Sequence, residues 1–342
     1  MRSTIMRFAA LAVAGMLALA PAFAAPSPTL AKVKKNGFLR CGVNEGLPGF
    51  SVPDTKGEWA GMDVDFCRAI AAAIFNDPKK VRFFPTSAKV RFTALQAGDF
   101  DVLSRNTTWT ISRDVQIGLE FIGVMYFDGQ GFMVPKSAKV TSARQLDGAS
   151  VCTNTGTTTE LNLADYFRAN KMKYKVIAFE RNNEVISAYD KGRCDAYTTD
   201  ASGLYAERLK LTKPDDHIVL PEIISKEPLG PAVNQGDQPW GDLVRWTFFA
   251  MLNAEELGVT SKNVDQMLKS PNPEVRRLLG VEGAFGESLG LTKDWAVRIV
   301  RHVGNYGEVF ERNVGQGSPL KIKRGMNALH TKGGLQYAPP VR

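Results

Sequence analysis

The chain has 342 residues, 44% of them hydrophobic and 23% charged, enough apolar material to close a core and enough length for about two domains. A disordered chain is thereby excluded. Its 43 Lys and Arg outnumber 35 Asp and Glu by a net charge of +8, but the basic residues are dispersed among acidic ones, so they draw no nucleic-acid footprint.

At the N-terminus, residues 1–7 carry Arg2 and Arg7, residues 8–20 are apolar apart from Gly15, and Pro21-Ala22-Phe23-Ala24 ends in an A-x-A motif. This pattern predicts a secretory signal peptide over residues 1–24, cleaved near Ala24, and a mature chain outside the cytoplasm. The apolar run of about 13 residues is shorter than the ~20 needed to span a bilayer, so the mature chain is not expected to be membrane-embedded. The first cysteine is Cys41, which leaves no acceptor for lipid just after the cleavage site.

Next come a strand over 38–43, a Gly/Pro-rich loop over 44–50, and a helix over 63–75, where Phe66, Ile70 and Ala73 or Ile74 share one face. Asp63 and Asp65 sit near that helix's positive end. A strand over 81–84, a helix over 91–97 and a strand over 101–104 complete an alternation that predicts an α/β lobe with a parallel sheet. A second series follows, with strands over 150–153, 174–178 and 195–198 and helices over 159–169 and 183–191. The two series echo each other, because Ala94, Gly98 and Asp101 recur as Ala188, Gly192 and Asp195, and Gly37 and Cys41 recur as Gly148 and Cys152. Two similar lobes are expected.

The glycine-flanked segment 129–135 and its counterpart 228–233 read as hinge strands between the lobes. After them, 240–257 reads as a long apolar helix. Shorter helical patterns over 264–268, 274–279, 294–303 and 306–313 lead to a tail expected to dock on the first lobe.

Ligands of open α/β sheets bind beyond the carboxyl ends of the strands. Four segments lie there, 44–50, 104–113, 154–159 and 199–200, and all should face one cleft. They offer the Arg113 guanidinium, the Asp200 carboxylate, and hydroxyls and free backbone N–H groups at two Thr-rich turns that include Thr108, Thr157 and Thr158. Arg can clasp a carboxylate bidentately, helix N-termini add donors for the same anion, and Asp200 can hold an ammonium. The set suits a zwitterion. Each residue taken alone has a plainer explanation: Arg113 as a surface charge beside Asp114, Asp200 and Thr157 as helix caps. The repeat tips the balance by placing Asn106 and Asp200 at corresponding positions. The histidines His217, His302 and His330 are too scattered for a zinc cluster or a Ser/His/Asp triad, and no cofactor is expected.

Gly61-Met62-Asp63-Val64-Asp65-Phe66 is similar to the G-F-D-x-D signature of periplasmic substrate-binding proteins of polar amino acid ABC transporters. The stretches 103–114 and 253–260 resemble the branch that binds general L-amino acids, and the similarity runs from about Val33 to the C-terminus. The resemblance implies a two-lobed fold of the type II periplasmic-binding kind: a signal peptide over 1–24, a first lobe over 25–132 plus 230–342 with a helical C-terminal extension, and a second over 133–229. It implies a monomer that captures L-amino acids, of broad or acidic/amide preference, and delivers them to ABC permease subunits driven by a cytoplasmic ATPase. Arg113 and the Thr108 and Thr158 positions would grip the α-carboxylate, and Asp200 and the Asn106 carbonyl the α-ammonium. Asn44, Glu45, Leu47 and Arg105 match positions that line the side-chain pocket; the family's acidic residue and aromatic lid are here Asn44 and Leu47.

The rival function on this scaffold is a periplasmic cyclohexadienyl or arogenate dehydratase, which needs a positioned general acid. Glu45 is the candidate near the cleft mouth. Four cysteines permit two disulfides in three connectivities, or reduced core residues. In a two-lobed protein the expected pairs are Cys41 with Cys67, where strand and following helix pack, and Cys152 with Cys194 on neighbouring strands, because a link between lobes would restrain closure.

Overall fold

The computed structural model describes residues 26–342; the signal-peptide reading of 1–24 lies outside the described residues. The first lobe begins with α1 (Pro28–Asn36), β1 (Leu39–Asn44), the short strands β2 (Val52–Pro53) and β3 (Trp59–Ala60), α2 (Met62–Phe75), β4 (Val81–Thr86), α3 (Arg91–Gln96), β5 (Val102–Leu103) and β6 (Leu119–Phe121). After β7 (Tyr126–Asp128) come β8 (Gln130–Pro135), β9 (Ser150–Asn154), α4 (Thr158–Ala169), β10 (Lys175–Phe179), α5 (Asn182–Asp190), β11 (Ala196–Asp200), α6 (Ala201–Arg208) and β12 (His217–Val219). The chain returns through β13 (Glu227–Leu229) and β14 (Ala232–Asn234).

Two five-stranded sheets result, ordered β4-β1-β5-β14-β6 and β10-β9-β11-β8-β12. In each, three parallel strands are followed by an antiparallel one, β14 or β8, from chain that has just crossed between the lobes. The crossing itself is the antiparallel ribbon β7–β13, which pairs Asp128 with Glu227, Phe127 with Pro228 and Tyr126 with Leu229. It lies slightly N-terminal to the expected hinge segments. The reason is burial: Phe132, Met133 and Val134 are fully enclosed, so most of 129–135 forms the core of the second sheet instead of a bridge.

The echo noted in the sequence is one turn built twice. Asp101 accepts from the backbone N–H of Arg40 at 3.0 Å, and Asp195 from that of Ser150 at 2.7 Å. Gly98 and Gly192 both adopt left-handed backbone, φ 74° and 71°, which lets each chain reverse from helix into strand without a Cβ clash.

The long helix α7 (Gln238–Glu256) and the shorter α8 (Val264–Met267), α9 (Pro273–Leu278), α10 (Phe285–Ser288), α11 (Trp295–His302) and α12 (Tyr306–Asn313) extend the first lobe's core. The tail docks on that lobe and also reaches the ribbon, where the Asn327 amide both accepts from the Phe127 N–H (2.7 Å) and donates to its carbonyl (3.1 Å). Cys41 is joined to Cys67 in the first lobe and Cys152 to Cys194 in the second, as expected. Among the described residues no helix is long and apolar enough to cross a membrane.

Candidate ligand-binding cleft

The G-M-D-V-D segment shapes the cleft from beneath. Gly61 has φ 130°, and a Cβ there would stand 2.0 Å from the Phe50 carbonyl oxygen, so only glycine lets the 44–50 loop fold over the start of α2. Asp63, in the first turn of α2, accepts from the Ser104 hydroxyl (3.3 Å) and the Asn106 N–H (3.2 Å). It therefore fixes the loop after β5, with Asn106 at φ 33°, a left-handed conformation that Asn tolerates. Burial raises the Asp63 carboxyl to about 7, against the bonds from Ser104 and Asn106 and the charge of Arg105. Asp65 instead accepts from Arg312 (2.9 Å) and Asn313 (2.7 Å), tying α12 to α2. Both aspartates act through tertiary contacts more than through the helix dipole.

Between the lobes lies a cavity lined by Asn44, Leu47, Arg105, Asn106, Thr108, Thr157, Thr158 and Asp200 among others. All four sequence segments beyond the strand ends meet there. Arg113, in a single π-helical turn over Ser112–Gln116, lies immediately behind Thr108 and donates to its carbonyl at 2.8 Å. It is buried, and burial lowers its guanidinium to about 10 while Glu227 and Asp200 counteract the shift. Arg105 is likewise lowered to about 10 by burial, and its Nε is committed to the Thr86 carbonyl at 2.9 Å.

Asp200 ends β11 at the position before α6, yet its side chain makes no capping bond, so the capping explanation does not hold for it. Burial pushes its carboxyl well up, and Asp128 and Glu227 push the same way; Arg91 and a bond from Asn106 oppose them. Thr157 does cap its helix, accepting from the Glu160 N–H at 3.1 Å. Glu45 is not among the cavity's lining residues. Its carboxylate faces Arg181 of the other lobe at 3.5 Å, at the cleft mouth, where it stays partly hydrated; the general acid required by the dehydratase reading is thus drawn away from the cavity.

Three charged groups escaped the sequence reading. Arg91, at the start of α3, lines the cavity and is 3% exposed; one amine reaches the Thr107 hydroxyl at 3.3 Å while Nε has no partner. Burial, with Arg113 and Arg105 nearby, pushes its guanidinium well below the ordinary value, and the Phe92 ring lies within 4.8 Å of it and 5.1 Å of Arg113, offsetting part of the desolvation. Glu207, on α6, lines the other side; burial raises its carboxyl, and Lys210 and Asn182 oppose the rise. Glu227, on the ribbon strand β13, accepts from Thr108 (2.5 Å), Thr158 (2.9 Å), Asn162 (2.7 Å) and Ser225 (2.8 Å). The signal for Arg91 was available: it follows β4 just as Asn182 follows β10, the corresponding strand of the other sheet, and the strand-end rule applied to those strands finds both.

The lobes meet around the cavity. Asn182 donates to Asn44 at 3.3 Å, Ser87 to Glu180 at 3.2 Å, and Lys210 to the Gly46 carbonyl at 2.6 Å. The chemistry on offer is a cluster of buried guanidiniums facing buried carboxylates, which suits a small dipolar solute with one anionic and one cationic group.

Comparison with known proteins agrees with that chemistry. The chain is 62% identical to the general L-amino acid-binding periplasmic protein AapJ of Rhizobium johnstonii, over 94% of this chain and 95% of that protein. It is 52% identical to the glutamate/glutamine/aspartate/asparagine-binding protein BztA of Rhodobacter capsulatus, over 96% and 98%. A solved ABC transporter periplasmic binding protein from Brucella ovis with glutathione bound superposes with a TM-score of 0.91 at 63% identity, covering 92% of this chain and 99% of that one. These relatives are solute-binding components of transport systems, not enzymes, and nothing among them supports the dehydratase reading. The profile of the bacterial extracellular solute-binding proteins, family 3, matches residues 39–277, and the chain belongs to that family.

Proposed function

We propose that the protein captures L-amino acids between its lobes and delivers them to ABC permease subunits powered by a cytoplasmic ATPase, acting as a monomer in the periplasm after cleavage near Ala24. The lobes that close are residues 25–132 plus 230–342 and residues 133–229. The observation that carries the reading is that the buried Arg91 and Arg105 line the same cavity as Asp200, while Arg113, which is not itself among the lining residues, lies behind Thr108 within electrostatic reach of all three. Arg113 and the N–H groups of the Thr108 and Thr158 positions hold the α-carboxylate; Asp200 and Asn106 hold the α-ammonium. Each charged hydrogen bond contributes about 1.5 to 3 kcal/mol, so a few of them account for micromolar affinity, near about 8 kcal/mol.

Asn44, Leu47 and Arg105 face the ligand side chain, with Asn182 and Glu207 opposite. An amide satisfies such a wall best, because its carbonyl can accept from Arg105 while its N–H groups donate to carboxylate or amide oxygens. AapJ and BztA, by their names, support a range from general to acidic and amide amino acids. The glutathione of the Brucella ovis protein adds γ-glutamyl compounds to that range. Calorimetry of the purified protein against all common L-amino acids tests the function: binding strongest for glutamine, glutamate, asparagine or aspartate is expected, and a protein that binds none of the amino acids refutes it.

A further inference from the structure

A second compartment adjoins the cavity. A vestibule at the cleft mouth is lined by Glu45, Gly46, Val52 and Pro53 from the first lobe and by Arg181, Asn182, Asn183 and Lys210 from the second. Asn182 lines both spaces. The wall between them is thin: the Asn182–Asn44 bond at 3.3 Å, the Lys210–Gly46 bond at 2.6 Å and the Arg181–Glu45 pair at 3.5 Å. Lys210 is also held by the buried Glu207 carboxylate at 2.8 Å, whereas Arg181 is held by the longer contact to Glu45, so Arg181 is the vestibule cation that can take a negative group.

An α-linked peptide has lost either the α-carboxylate of its first residue or the α-ammonium of its last, so it cannot satisfy the guanidinium cluster and Asp200 with one residue. A ligand that keeps both groups can grow only through its side chain. An amide formed at the γ-carboxyl of glutamate meets that condition: it leaves the α-carbon groups free and carries the chain past Arg105 and Asn182 toward the mouth. We propose that the vestibule is a second subsite, taking the distal part of a γ-glutamyl peptide, with Arg181 receiving its terminal carboxylate. This rests on the amino-acid reading of the inner cavity and names a ligand class that spans both spaces. Entry of the peptide displaces Glu45 from Arg181, a partly exposed pair with a long 3.5 Å contact, and opens the 3.3 Å Asn182–Asn44 bond.

The test is calorimetry on the full chain and on Arg181→Ala with three ligands: L-glutamine, glutathione, and glutathione amidated at its glycine carboxylate. Arg181→Ala should weaken glutathione about tenfold and L-glutamine less than about twofold, the scale of one partly exposed charged hydrogen bond. Amidated glutathione should bind the unaltered protein about tenfold more weakly than glutathione, and the variant should no longer distinguish the two. Equal losses for glutathione and glutamine in the variant, or unchanged affinity for the amidated peptide, would overturn the proposal. A protein that binds glutamine but not glutathione sinks this inference alone; one that binds no amino acid and no peptide sinks the amino-acid reading as well.

Discussion

The Thr108 hydroxyl of the first lobe lies 3.2 Å from the Thr158 hydroxyl of the second, and both are within hydrogen-bond reach of Glu227 on the ribbon strand. A hydroxyl has one proton to give, and the carboxylate takes it from each. What these threonines offer a ligand is therefore their backbone, including the Thr158 N–H in the first turn of α4, where helix geometry leaves it unpaired.

Replacing either threonine by valine keeps the backbone and removes the proton. Thr108→Val and Thr158→Val should each cost about 1 kcal/mol of stability in urea unfolding while changing ligand affinity less than about fivefold. A loss of a hundredfold in affinity would show that the hydroxyls hold the ligand directly.

The arginines should separate by role. Arg113→Ala should weaken every ligand by about a hundredfold, the upper range for a charged hydrogen bond. Arg105→Ala should alter the ranking, lowering affinity for acidic and amide side chains while sparing aliphatic ones. Titration calorimetry against glutamine, glutamate and leucine distinguishes these outcomes, and retained affinity in Arg113→Ala would remove it as the anion anchor.

Asp200 links binding to pH. Burial and the neighbouring Asp128 and Glu227 raise its carboxyl well above the ordinary value, and burial brings Asp128 to about 6. An incoming ammonium stabilises the ionised form, so the complex has the lower pKa and binding releases protons. Above the ordinary carboxylate range, affinity should rise with pH until Asp200 is ionised in the free protein, and binding heats in buffers of different ionisation enthalpy should report net proton release. Asp200→Asn should abolish the release; net uptake by the unaltered protein contradicts the assignment.

Asp63 links folding to pH with the opposite sense to a salt-bridged aspartate. Its carboxyl is near 7 in the native protein against the ordinary 3.8, so between those values the native state holds the proton more tightly than the unfolded chain. Its contribution to stability then declines as pH rises through that window. Urea unfolding of the unaltered protein and Asp63→Asn at pH 4, 5.5 and 7 should show the difference between them moving in favour of the variant as pH rises.

Both disulfides lie within a lobe, at separations of 26 and 42 residues. Loop-closure entropy assigns them about 3.5 and about 4 kcal/mol. Replacing Cys152 and Cys194 together by serine should lower the Tm by several degrees while ligand affinity at 25 °C holds within about twofold, since lobe closure does not strain that bond. A lost affinity in a variant that remains folded would implicate the bridge in closure.

Much of the fold was legible because periodicity and punctuation are local. The helix expected over 306–313 is Tyr306–Asn313, and the Ala-x-x-x-Gly-x-x-Asp repeat marks the same helix-to-strand reversal in each lobe. The hinge was displaced because glycine and proline announce a crossing without saying which flanking residues a sheet will absorb. Glu227 and Glu207 were not legible at all. In sequence, each is one more acidic residue among 35, and only the approach of Thr108 and Thr158, or of Asn182 and Lys210, gives it a partner.

The order of residues by itself determined a two-lobed α/β scaffold, the paired turns, and the strand-end segments that carry charge, since each follows from short-range sterics and hydrophobic alternation. The tertiary structure decided which charges are stripped of water and which face one another: it buried Arg91, turned Glu45 toward Arg181, and set Glu227 between two threonines 50 residues apart. Electrostatic energies depend on distance and on the surrounding medium, and neither exists until the chain has closed on itself.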